Sequence, residues 1–115
     1  MLRGDIYLVN FEPAKSGEAN KVRPAVIVSN DGANGSANRN GHGVITVIPL
    51  TSNVIQVYPF QVLLKASITG LNVDSKAQAE QLRSVAVNGL SAHIGEVPHS
   101  LMEDIDEALR LHLAL

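Results

Sequence analysis

Apolar residues fall in short runs along this chain, and their spacing predicts strands before it predicts a helix. Ile6-Tyr7-Leu8-Val9-Asn10-Phe11 is rich in β-branched, aliphatic and aromatic side chains and reads as a first strand. Pro24-Ala25-Val26-Ile27-Val28-Ser29 is almost wholly apolar, the pattern of a strand buried on both faces. Its Pro24 stands at the predicted start, where a missing N–H costs least. Val44-Ile45-Thr46-Val47-Ile48-Pro49-Leu50 predicts a third strand, closed by the hydroxyls and amide of Thr51-Ser52-Asn53. Phe60-Gln61-Val62-Leu63-Leu64 predicts a fourth, preceded by Tyr58-Pro59. The stretches 72–76 and 79–83 are weaker strand candidates, because Ala77 to Gln81 also has a helix-favouring composition.

The segments between these runs are polar. Residues 12–21 contain Pro and Gly and read as a loop. Residues 30–43 are crowded with Asn, Gly, Asp and Ser, which favour turns and left-handed backbone, so a long mobile loop is expected there. A loop of that length in a compact domain is more often functional than idle. The end of the chain changes period. Pro98 precedes Ser100-Leu101-Met102-Glu103, the Ser-x-x-Glu spacing of a capping box. Leu101, Ile105, Ala108, Leu109 and His112 then share one helical face, with Glu103, Asp106, Glu107 and Arg110 away from it. Several short strands followed by one amphipathic helix predict an α+β fold, mainly β. The sheet should be small and strongly bent, or closed as a barrel, with the C-terminal helix over one side. No internal repeat or second domain is visible, so residues 1–115 are expected to form a single domain.

Composition narrows the function. A chain of 115 residues with 45% hydrophobic and 17% charged residues has enough material for one core. There is no cysteine, which excludes a disulfide scaffold, a zinc ribbon and a cysteine nucleophile, and suits a reducing cytoplasm. The formal net charge of −2 argues against a protein that coats long nucleic acid. It leaves room for an enzyme that grips a few nucleotides in a local basic groove. No stretch is long and apolar enough to span a bilayer, and the start shows no signal-peptide core, so a soluble cytoplasmic protein is expected.

Candidate chemistry is sparse. No GxGxxG or Walker-type phosphate loop is present, and no serine sits in a nucleophile elbow. His42, His93, His99 and His112 are scattered without a familiar ligand spacing, so neither a metal nor a cofactor is expected. What remains is a set of polar residues at strand ends. Arg23 reads either as a surface cation before a proline or as a fixed guanidinium whose planar fork suits a phosphate. Thr51 and Ser52 read as turn caps or as hydroxyl donors to the same phosphate. Glu80 and Arg83 read as a surface ion pair or as a carboxylate and a cation flanking a site. Tyr58 and Phe60 are core residues or stacking platforms for bases. Spacing alone favours the structural reading of each pair.

Taken together, the motifs carry a resemblance. Arg3-Gly4-Asp5-Ile6-Tyr7 resembles the opening of the MazF/PemK toxin family, and the stretch from Gly17 to Asp31, containing Glu18, Arg23-Pro24 and Ser29-Asn30, resembles its longest signature. Pro49-Leu50-Thr51-Ser52, Tyr58-Pro59-Phe60 and Glu80-Gln81-Leu82-Arg83-Ser84 resemble later signatures in the right order, so the likeness covers essentially the whole chain. It implies an SH3-like barrel with a C-terminal helix, working as a homodimer. It also implies metal-independent, sequence-specific cleavage of single-stranded RNA, leaving 2′,3′-cyclic phosphate and 5′-hydroxyl ends and stopping translation and growth. The implied partner is a MazE-type antitoxin whose flexible tail occupies the RNA groove.

Carried over by motif, Arg23 and Thr51 are the catalytic residues that the resemblance implies. Glu18, Asn20, Lys21, Ser29, Asn30, Ser52, Glu80, Gln81 and Arg83 match or neighbour positions that line the RNA site. Asn20 and Lys21 stand where relatives commonly have glycines, a departure that bears on the loop before Arg23 and on the RNA sequence preferred. The alternative reading is a gyrase-inhibiting toxin of the same fold, which acts by binding a protein through its C-terminal helix. The Arg23 and Thr51 pair and the ending Leu111-His112-Leu113-Ala114-Leu115 favour the nuclease.

Overall fold

The computed structural model of the chain describes residues 1–12 and 21–115. Seven strands are present: β1 (Asp5–Glu12), β2 (Lys21–Ile27), β3 (Val44–Thr51), β4 (Gln61–Leu64), β5 (Ser75–Gln78), β6 (Arg83–Ala86) and β7 (Leu90–Glu96). Three helices join them: α1 (Asp31–Asn40), the single turn α2 (Ala66–Thr69) and the long C-terminal α3 (His99–Leu113). All strand pairs are antiparallel, in the order β4-β5-β3-β2-β1-β7, with β6 also paired to β3. The sheet is barrel-like and bent at β3, whose first half pairs with β6 and whose last two residues pair with β5. The path of paired strands does not close on itself.

Bending divides the core in two. One cluster gathers Ile6, Val26, Ile48, Leu50, Val62 and Leu64 under Met102, Ile105 and Ala108 of α3. The other gathers Val9, Ala25, Ile27, Ile45, Val47 and Val85 with Ala37 of α1. Alternate residues of one strand feed opposite clusters, as Ala25 and Ile27 against Val26 show, which is the two-residue period of a strand buried on both faces. The opening motif fastens the ends together. The Arg3 guanidinium donates to the Val28 carbonyl at 2.8 Å and pairs with Asp106 of α3.

Four expectations need correction. Residues 30–43 are not a structureless loop. Asn30 caps α1 by accepting a hydrogen bond from Ala33 N at 2.8 Å, and Gly41, at φ 71°, ends it in the left-handed region that glycine tolerates. Tertiary contact outweighs the poor helix composition here, since Asn34 and Ala37 are buried. The capping box at the end of the chain does not form. Pro98 occupies the N-cap of α3 without a side-chain cap bond, and its carbonyl accepts from Leu101 N and Met102 N. The buried face of α3 is Met102, Ile105 and Ala108, and His112 is exposed. Finally, Pro24 lies inside β2, opposite Leu8, rather than at its start.

Candidate functional site

The two prolines explain how one strand end becomes a site. The β2–β3 ladder pairs Ile27 with Val47, Val26 with Ile48 and Ala25 with Pro49, and it stops there. Continued by two residues, the same register sets Pro24 opposite Leu50 and Arg23 opposite Thr51. Pro24 has no N–H to give, so the carbonyl of Leu50 is open to another donor. The Arg23 guanidinium takes it at 3.3 Å, and the same nitrogen reaches Gln78 Oε1 at 3.3 Å. The guanidinium of Arg23 is thereby held beside the residue that precedes Thr51, the other catalytic candidate named from the sequence.

On its other side Thr51 is paired with Lys76 of β5, and Gln78 is paired with Gln61 of β4. Directly opposed residues send their side chains to the same face. Thr51, Lys76, Gln78 and Gln61 therefore share a face, joined by Arg23 through its bond to Gln78 and interrupted by Leu63 opposite Lys76. Gln61 links it to two further elements. Its Nε2 donates to Glu80 Oε2 at 2.6 Å, and its Oε1 accepts from Tyr58 N at 3.2 Å. The second carboxylate oxygen of Glu80 is buried without a hydrogen-bond partner among the described residues. Tyr58 stacks on Phe60 with centroids 5.4 Å apart. Thr51 Oγ1 accepts from Asn53 N at 3.3 Å, and Asn53 Oδ1 accepts from Ile55 N at 3.4 Å, so the chain leaving β3 turns under side-chain control.

Arg83 reaches the same corner from β6. It donates to the Phe11 carbonyl at 3.2 Å, with its guanidinium carbon 5.2 Å from the centre of the Phe11 ring. Phe11 lies two residues beyond Val9, the residue paired with Arg23. Ser52 and Gln81 are exposed beside the corner, on the turn after β3 and on the short 3-10 turn 79–81. Lys21 begins β2, two residues before Arg23. Glu18 and Asn20 lie outside the described residues.

Ser29 and Asn30 do not join this group. They follow the opposite end of β2, six and seven residues from Arg23, or about 20 Å along a strand. Asn30 is spent on capping α1, and Ser29 is tied to Asn34 and Thr46 N.

The cations of the site form no ion pairs among the described residues. The ion pairs among the described residues are Arg3–Asp106, His93–Asp5, His99–Glu103 and Arg110–Glu107. None of these pairs involves Arg23, Lys76 or Arg83, and Glu80, the carboxylate that joins this group among the described residues, is bonded to Gln61. An anion with several oxygens, such as a phosphodiester, suits those cations. Elsewhere, Tyr7 stacks on His93 with centroids 4.9 Å apart, and its hydroxyl is pushed above the ordinary tyrosine range by desolvation and then by the charge of Asp5. No group of three or more His, Cys, Asp or Glu able to hold a metal occurs among the described residues. No helix among them is long and apolar enough to cross a membrane.

Gln61, Lys76 and Gln78 are members of this face that sequence reasoning missed. Their signal was the alternation Lys76-Ala77-Gln78, polar at every second residue, which marks one face of a strand. Which face it joins depends on pairing with β3 and β4, which no local pattern shows.

Residues 2–113 match the family described as PemK-like, MazF-like toxin of type II toxin-antitoxin system, and the chain belongs to that family. It is 58% identical to endoribonuclease MazF9 of Mycobacterium tuberculosis over 115 residues, spanning 100% of this chain and 98% of that protein. It is 31% identical to endoribonuclease EndoA of Bacillus subtilis, spanning 98% of this chain and 94% of that one. Its fold superposes on a MazE–MazF structure from Deinococcus radiodurans with a TM-score of 0.77 and 25% identity, covering 100% of this chain and 96% of the other.

Proposed function

We propose that this protein is the toxin of a toxin–antitoxin pair and acts as a sequence-specific endoribonuclease on single-stranded RNA, without a metal ion. The observation that carries the reading is the Arg23 guanidinium held at the carbonyl of Leu50, the residue before Thr51, just past the end of the β2–β3 ladder, with no ion pair to Arg23 among the described residues. The relatives named as endoribonucleases support it.

In the proposed reaction the 2′-oxygen of one nucleotide attacks the adjacent phosphorus as its proton leaves to a base. The bond from phosphorus to the 5′-oxygen breaks, and that oxygen gains a proton. The products are a 2′,3′-cyclic phosphate and a 5′-hydroxyl. Charge builds on the non-bridging oxygens at the transition state, where a fixed guanidinium stabilises it most. Arg23 fills that role and can hydrogen-bond the leaving 5′-oxygen, which takes its proton from water. It stays protonated and is not the base. Thr51 holds a phosphate oxygen through its hydroxyl and so sets the in-line geometry. Glu18, Asn20, Lys21, Ser52, Glu80, Gln81 and Arg83 line the path of the RNA, whose unstacked bases are read along their edges.

On this reading residues 1–115 work as one domain in a cytoplasmic homodimer, with the groove between subunits taking RNA or the flexible tail of a MazE-type antitoxin. A substrate carrying a single 2′-deoxy position tests the chemistry. Cleavage at that position is expected to vanish while cleavage at other copies of the sequence persists. Continued cutting there would rule out attack by the 2′-oxygen.

A further inference from the structure

Lys76 is a buried lysine. It lies on β5 between Ser75 and Ala77, all three buried, and is itself only 8% exposed. Lysine is rarely buried unless paired, because its ammonium gives up its hydration. No carboxylate forms an ion pair with it among the described residues. Its Nζ donates to the carbonyl of Gln56 at 2.5 Å and lies 5.8 Å from the centre of the Tyr58 ring. An ammonium carries three donors, so this neutral carbonyl uses one of them.

Position makes the charge interesting. Lys76 is the residue paired with Thr51, and the Arg23 guanidinium reaches the carbonyl of Leu50, the residue before Thr51, from β2. Strands β2, β3 and β5 therefore carry a row of cation, hydroxyl and cation, with neighbouring strands about 4.8 Å apart. Two cations flanking a hydroxyl match the repeating anions of an RNA backbone better than a lone arginine does. In a chain of net charge −2, a concentrated local field of this kind is what would hold RNA.

We propose that Lys76 is a phosphate-binding residue of this site, contacting the RNA backbone on the Tyr58 side of Thr51. The proposal rests on the endoribonuclease reading above. A lysine that only braced the Gln56–Tyr58 segment would matter to stability and not to phosphate charge, and the salt dependence of binding separates the two roles.

The probe is a single-stranded RNA of the cleaved sequence with a 2′-deoxy nucleotide at the cut, which binds and is not cleaved. Its Kd is measured from low to moderate salt for the wild type, Lys76→Met and Lys76→Arg. Lys76→Met is expected to bind about tenfold or more weakly at low salt. Its slope of log Kd against log salt should fall by about 0.7, the loss of one phosphate contact on a single strand. Lys76→Arg should keep the wild-type slope. A folded Lys76→Met with the wild-type Kd and slope overturns the proposal. If Lys76→Met does not fold, the wild type decides. The Lys76 ammonium resonance should shift when the probe binds, and a still resonance beside a shifting Thr51 amide overturns the proposal. A wild type that neither binds nor cuts RNA defeats the endoribonuclease reading itself, and this inference with it.

Discussion

The Arg23 guanidinium donates to Gln78 Oε1 and to the Leu50 carbonyl, each at 3.3 Å, so β5 and β3 together aim a side chain that β2 carries. Both bonds are longer than the usual 2.9–3.0 Å for N–H···O, and both acceptors are neutral. They orient the cation without cancelling its charge. Removing one of them should loosen Arg23 and leave it in place. Gln78→Leu is therefore expected to lower kcat/KM by about threefold to tenfold. Arg23→Ala removes the charge itself and should cost about a hundredfold or more. Steady-state cleavage of a short RNA, with circular dichroism as the control for folding, checks both.

Asn34 is fully buried, and its amide meets the Ser29 hydroxyl and carbonyl at the end of β2 remote from Arg23. Asn34→Ala leaves those groups without their partner and should destabilise the protein by about 1–3 kcal/mol. The rate of cleavage at saturating RNA should not change while the protein is folded. Urea unfolding beside a cleavage assay tests the pair of outcomes. A large loss of rate without loss of stability would mean that the α1 end takes part in the reaction.

The orientation of α3 gives a contrast along one helix. Ile105 is fully buried against the sheet, whereas His112 is exposed. Ile105→Ala should cost about 2–5 kcal/mol through lost burial and the cavity left behind. His112→Ala should stay within about 0.5 kcal/mol. Urea midpoints at constant slope measure both.

Tyr7 supplies a pH dependence whose sign is fixed. Desolvation, then Asp5, raise its hydroxyl above the ordinary value of 10.0 in the folded protein. The neutral phenol is thus favoured by folding. Its contribution is fully present below pH 10 and is lost as the pH climbs through the folded value. Tyr7→Phe cannot ionise and should lose less stability than the wild type above pH 10. Equal alkaline losses in the two proteins would contradict the assignment.

Much of this molecule was legible in the chain, and what was not has physical causes. Strands β1, β3 and β4 and helix α3 announced themselves because each presents an uninterrupted apolar period. Helix α1 hid behind Asn, Gly and Ser, which are poor helix formers. It stands because the Asn30 cap, the Gly41 stop and the buried Asn34 and Ala37 hold it from outside. Strand β7 escaped notice because Ser91, Ala92 and His93 are exposed and carry no apolar alternation. At the site, Arg23 and Thr51 came from motif and resemblance. The Gln61, Lys76 and Gln78 face came only from the register of β5 against β3 and β4. Those pairings bring Gln61 to Gln78 and Thr51 to Lys76 from separate segments of the chain, and local composition does not record them.

The measurement closest to the central claim is incubation of the purified, antitoxin-free protein with a mixed-sequence single-stranded RNA in excess EDTA, beside Arg23→Ala. The account predicts discrete fragments with cyclic-phosphate ends from the wild type and none from the folded variant. Intact RNA with a folded wild type would contradict it and favour a toxin that works by binding a protein; equal cleavage by both would remove Arg23 from the chemistry.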